Sequence, residues 1–120
     1  MTARIAQLTL DARDLDAQAR FWSEALGMTT QVHDDGVVKL YPAESAGVII
    51  WLQPIEEDKQ AKLPLHLDLR PADGDVDAEI GRLLGLGATR ADVGQSGDEG
   101  FTVLADPEGN EFCVLHGDPR

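Results

Sequence analysis

Cysteine is almost missing from this chain of 120 residues: Cys113 is the only one. One thiol cannot form an intramolecular disulfide, so the fold must rest on its core. Basic residues are scarce as well. Ten Lys and Arg stand against 22 Asp and Glu, a formal net charge of −12. That balance repels a phosphate backbone and an anionic bilayer, so nucleic acid and membrane are not expected partners, whereas a cationic ligand is drawn in. Long apolar runs are lacking, which excludes a transmembrane helix. The opening MTARIAQLTLDARD has no apolar stretch of signal-peptide length and predicts a cytoplasmic protein. No glycine motif suits a phosphate, since LGLGAT has the wrong spacing and falls at a helix C-terminus.

What is present is a repeat. LTLDARDLDAQARFWSEALGMTT, residues 8–30, aligns with LDLRPADGDVDAEIGRLLGLGAT, residues 67–89. Leu8 and Leu10 fall over Leu67 and Leu69, and Asp14 over Asp73, at an offset of 67 − 8 = 59. An offset near half the length means two copies of one unit. Each copy starts with a short alternating strand, in which Ile5, Gln7 and Thr9 oppose Leu8 and Leu10, and Leu65, Leu67 and Leu69 oppose His66 and Asp68. An amphipathic helix follows. Asp14 caps the first, Leu15, Ala19, Trp22 and Leu26 recur at helical spacing, and Gly27 ends it; Asp75 or Asp73 caps the second, with Val76, Ile80, Leu83 and Leu84 as its stripe and Gly87 at its end. Three strands close each copy, near 29–33, 37–41 and 47–53, then near 89–92, 101–105 and 111–115. Asp34-Asp35-Gly36 forms a hairpin turn.

The predicted fold class is therefore α+β: two tandem βαβββ modules in one domain spanning 1–120. Module one covers about 4–53, a polar linker 54–62, and module two about 63–116. Residues 92–100, rich in glycine and acid, are expected to form a mobile loop, and Asp106-Pro107-Glu108-Gly109-Asn110 is a turn by its chemistry.

FWSEALGM on the first helix, WLQ, HLDL, LGAT and the closing LADPEGNEFCVL resemble the vicinal oxygen chelate superfamily. More narrowly, they resemble its small glyoxalase-like domain proteins. The superfamily holds glyoxalase I, bleomycin-resistance proteins and extradiol dioxygenases. The resemblance runs from about Ile5 to Leu115. It implies two cupped mixed sheets around a cavity, with helices on the convex faces, and a homodimer.

Alternation then sorts the strands. Leu8, Leu10, Leu65, Leu67 and Leu69 are expected to face the helices, as are Val48, Ile50, Leu52, Phe112 and Val114. Gln7, Thr9, Trp51, Gln53, His66, Asp68, Cys113 and Leu115 then face the cavity and are the candidate ligand-binding residues. Trp51 would be a stacking platform for a planar or cationic ligand. His66 with Asp68 is the candidate catalytic pair, a carboxylate orienting an imidazole for acid–base work. Phe21 and Trp22 belong to the core. His33 is expected in solvent beside its turn, and His116 in the tail.

The resemblance also implies metal positions on the first and last strands of each module. These carry Gln7 and His66, then a residue near Ile50 or Trp51, and Cys113 where relatives usually have Glu. No cofactor is the preferred reading. A divalent metal, if bound, takes Gln7, His66 and Cys113 as donors, and added metal should stabilise the protein little. Two function classes follow. One is a metal-free small-molecule binder of the bleomycin-resistance type. The other is a lyase, isomerase or dioxygenase working through a metal or through His66.

Overall fold

The computed structural model describes residues 2–44, 47–56, 61, 63–91 and 100–116. The 92–99 part of the expected loop, 57–60 and 62 of the linker, and 117–120 lie outside the described residues. Contacts divide the chain into two compact units, Met1–Asp58 and Lys59–Arg120.

The first unit comprises β1 (Gln7–Ala12), α1 (Leu15–Leu26), β2 (Thr29–Val32), β3 (Val38–Tyr41) and β4 (Ile49–Pro54). Its sheet order is β1-β4-β3-β2, with β1 parallel to β4 and the other pairs antiparallel. Asp14 caps α1 by accepting from the Ala17 amide at 3.1 Å, and Gly27 ends the helix at φ 65°, a conformation that costs glycine nothing. Phe21 and Trp22 pack edge to face, centroids 5.0 Å apart, over a core that includes Val38, Leu40, Ile50 and Leu52.

The second unit repeats this plan with β5 (Asp68–Leu69), α2 (Val76–Leu86), β6 (Thr89–Arg90), β7 (Phe101–Ala105) and β8 (Glu111–Leu115). Its order, β5-β8-β7-β6, is that of the first sheet. Asp75 caps α2 through the Ala78 amide, while Asp73 accepts from the Asp75 amide at 3.0 Å. The cap is thus Asp75, and Asp73 braces it. Ile80 and Leu83 pack inward against a core with Leu104, Phe112 and Val114. Two helices and two four-stranded mixed sheets make the chain α+β, as the repeat predicts.

Four expectations fail locally. Leu65 is 68% exposed, because the chain joins β8 only from the Leu67 carbonyl and the Asp68 pairing onward. Val48 is exposed, since β4 begins one residue later, where Ile49 meets Gln7. His33 is half-buried, its Nε2 shielded from water, because its backbone closes the β2–β3 hairpin through Val37 and Gly36. His116 is no tail residue: its Nε2 lies 2.8 Å from Thr102 Oγ1, and its amide donates to the Gly100 carbonyl at 2.8 Å.

Candidate functional site

The turn before β8 governs where that strand lies. Asp106 is 2% exposed, and its Oδ1 accepts from the amides of Glu108 at 2.9 Å and Asn110 at 3.0 Å. Its Oδ2 accepts from Asn110 Nδ2 at 3.0 Å, and Gly109 takes φ 87°. A carboxylate bonded three times in a dry place fixes the turn, and so the register of the strand after it. In that register Val103 lies opposite Cys113 and Phe101 opposite Leu115. On the other side Asp68 lies beside Cys113, with the Cys113 amide donating to the Leu67 carbonyl at 2.9 Å.

Residues two apart on a strand share a face. On the face opposite α2, this brings Cys113, Val103, Phe101, Leu115 and Glu111 together with His66 and Asp68, and they line a cavity of about 240 Å³. Its polar end is a cluster. His66 Nδ1 and Asp68 Oδ1 are 3.0 Å apart, which sets the imidazole beside a carboxylate. One donor atom each from His66, Asp68 and Cys113 lies within 4.8 Å of the other two. Cys113 is 7% exposed, whereas the His66 and Asp68 side chains are 40% and 45% exposed.

Four of the expected site residues thus meet: His66, Asp68, Cys113 and Leu115. Gln7, Thr9, Trp51 and Gln53 belong to the first unit. There Gln7 Nε2 donates to Thr9 Oγ1 at 3.4 Å, Thr9 pairs with Trp51 and Asp11 with Gln53. Since Thr9–Trp51 and Asp68–Cys113 are corresponding ladder pairs, the first-unit counterpart of Cys113 is Trp51 rather than Ile50. The Lys39 ammonium sits 4.2 Å from the centre of its ring, so the chain's own cation already covers the expected stacking face.

Glu111, Phe101 and Val103 line the cavity without having been singled out. The signal for Glu111 was in the sequence, because the alternation that turns Cys113 and Leu115 to the cavity turns Glu111 there too. For Phe101 and Val103 it required the β7–β8 register.

The profile of the glyoxalase-like domain family matches residues 7–115. The chain belongs to that family. The fold is that of the vicinal oxygen chelate superfamily. The fosfomycin resistance protein FosX from Listeria monocytogenes, solved with Mn(II) and sulfate, superposes with a TM-score of 0.75 at 18% identity, covering 98% of this chain and 93% of that one. FosX from Mesorhizobium loti gives 0.73 at 17%, covering 98% and 95%. A glyoxalase/bleomycin resistance protein/dioxygenase family enzyme from Burkholderia phytofirmans gives 0.69 at 19%, covering 95% and 98%. At such identities the likeness is one of fold. No curated protein matches the sequence. Among the described residues, no helix of this glyoxalase-like protein is long and apolar enough to cross a membrane.

Proposed function

We propose that this glyoxalase-like protein binds a small organic molecule in the second-unit cavity, held at one end by His66 and Asp68 and packed on the other by Phe101, Val103 and Leu115. The observation that carries this reading is the convergence of a closely spaced acid–imidazole pair with an apolar wall around one cavity, the usual composition of a ligand site. Its size limits the ligand. At about 240 Å³ the cavity lies below the range usual for drug-sized ligands, which points to a small molecule. Asp68 and Glu111 are the charged lining residues besides His66, which favours a ligand bearing a positive charge or strong donors. A homodimer, on family grounds, and a cytoplasmic location, from the lack of long apolar runs, are part of the proposal.

A resident ion of the Mn(II) kind, as in the Listeria neighbour, fits these residues poorly. Such ions prefer oxygen and imidazole donors, and here a buried thiol occupies the last-strand position, with Asp68 the carboxylate of the cluster. Ligand binding is therefore read without catalysis by a hard ion.

The test is ligand-induced thermal stabilisation across small cationic, neutral and anionic compounds. Cationic compounds should stabilise most, and Asp68→Asn should remove more of that gain than of any neutral compound's. Leu115→Trp, which fills the cavity, should abolish both. Stabilisation that survives Leu115→Trp would place the ligand elsewhere and sink the reading. A second reading rests on the 3.0 Å His66–Asp68 contact: an imidazole placed beside a carboxylate can act as general base toward a bound substrate. Turnover lost in His66→Gln while binding persists would favour it over simple sequestration.

A further inference from the structure

We propose that Cys113 is a nucleophile with His66 as its proton acceptor and Asp68 as a positioning residue. The cavity then takes a small carboxylic ester, whose acyl group the thiol accepts. This rests on the reading of the second-unit cavity as a ligand site and names its substrate class and the group that attacks.

Placement comes first. The Cys113 sulfur, a His66 ring nitrogen and an Asp68 carboxylate oxygen all lie within 4.8 Å of one another. All three residues line the same cavity. A nucleophile and its base must come within hydrogen-bond reach only once substrate is bound, and looser spacing is usual in an empty site. The sheet holds the backbone that presents them. Asp68 and Cys113 are neighbours in the parallel ladder, and the Cys113 amide is bonded to the Leu67 carbonyl at 2.9 Å. Presentation by hydrogen-bonded strands keeps the groups together before any substrate arrives.

Charge comes second. Asp68 and Glu111 also line the cavity, and their carboxylates would repel a solitary thiolate. Passing the thiol proton to His66 makes a thiolate–imidazolium pair and leaves the net charge unchanged. The Asp68 oxygen 3.0 Å from Nδ1 stabilises that imidazolium, the part a carboxylate takes in a nucleophile–base–acid series. The same two carboxylates repel an anionic electrophile and admit a neutral or cationic one.

Burial comes third and gives the site its direction. Cys113 is 7% exposed and lies opposite Val103, whereas the His66 and Asp68 side chains are 40% and 45% exposed. The sulfur is thus on the dry side, where Phe101, Val103 and Leu115 offer an apolar wall to the acyl group, and the imidazole stands toward water. The sulfur attacks the ester carbonyl carbon: the C–S bond forms and the C–O bond to the alcohol breaks. The thiol proton passes through His66 to the departing alcohol oxygen. Water then adds to the thioester carbon while His66 takes its proton and returns one to sulfur. Ester and water become acid and alcohol, and the thiol is restored.

Thiol chemistry on the full chain tests this, and with a single cysteine every thiol adduct is assigned. Native Cys113 should react with iodoacetamide at least about tenfold faster than the same thiol in the urea-unfolded chain. Iodoacetate, which is anionic, should lose most of that advantage. p-Nitrophenyl acetate should leave one acetyl group on Cys113, seen by mass spectrometry, which then clears as acetate. His66→Gln should slow acetylation about a hundredfold. Asp68→Asn should slow it about tenfold and narrow the preference for iodoacetamide over iodoacetate, which loosened packing alone would not do. A native thiol slower than the unfolded one overturns the proposal, as does an absent or permanent acetyl thioester, or an unchanged rate in His66→Gln. Both substituted side chains are substantially exposed, and none of these outcomes needs a variant at buried Cys113. An inert thiol leaves organic-ligand binding to its own thermal-shift result, which uses unreactive compounds.

Discussion

Removing the Asp106 carboxylate should be among the most damaging single changes outside the apolar core. Its two oxygens accept three hydrogen bonds of 2.9 to 3.0 Å at 2% exposure. A bond to a charged group contributes roughly 1.5–3 kcal/mol, and a buried donor left unpaired costs about 1–3 kcal/mol. The three bonds share one acceptor group, and the Glu108 amide lies where water can reach part of the turn, so simple addition overstates the loss. We expect Asp106→Ala to cost about 3–4 kcal/mol. In a chain of this length 1 kcal/mol moves the melting temperature by about 4 °C, so the shift should be about 12–16 °C. Asp106→Asn keeps an acceptor for the two amides but sets one amide NH₂ against another at Asn110, and should cost about 1–2 kcal/mol. Urea unfolding followed by circular dichroism measures both. A loss below about 1 kcal/mol for Asp106→Ala, or equal losses for the two variants, would refute the claim that this carboxylate organises the turn.

Gly81 and Gly85 lie inside α2 with nothing near an added Cβ, so each Gly→Ala change should stabilise by about 0.5–1 kcal/mol, measurable by urea unfolding. Leu83 is fully buried, and Leu83→Ala should cost about 2–5 kcal/mol in the same assay. Asp14→Ala and Asp75→Ala each remove a helix cap and should cost about 1 kcal/mol, read as lost stability on urea unfolding. Lys39→Ala uncovers Trp51, and should alter indole emission while changing stability by no more than about 1 kcal/mol.

The repeat was readable because duplicated strands and helices leave the same period twice. Leu8 and Leu10 announce one copy and Leu67 and Leu69 the other, and the two capped helices lie where Asp14, Gly27, Asp75 and Gly87 put them. Strand ends were less readable. Leu65 and Val48 carry strand-like side chains, but a strand persists only where a partner's backbone accepts its hydrogen bonds. His33 and His116 were misjudged for a related reason, since their surroundings come from residues that sequence does not place beside them. The partial legibility of the site has the same origin. Alternation turns His66, Asp68 and Cys113 to one face, while the 3.0 Å contact between the first two depends on rotamers that no spacing specifies.

The two sheets share strand order, and Thr9 beside Trp51 repeats Asp68 beside Cys113. One backbone therefore displays two unlike sets of side chains, with Gln7, Thr9 and Trp51 standing where His66, Asp68 and Cys113 stand. The protein carries its own graft acceptor. Moving the second-unit set onto the first by Gln7→His, Thr9→Asp and Trp51→Cys asks whether a ladder register and three side chains suffice to make a binding site. Its readout is a count: one bound small molecule per chain becomes two, or it does not.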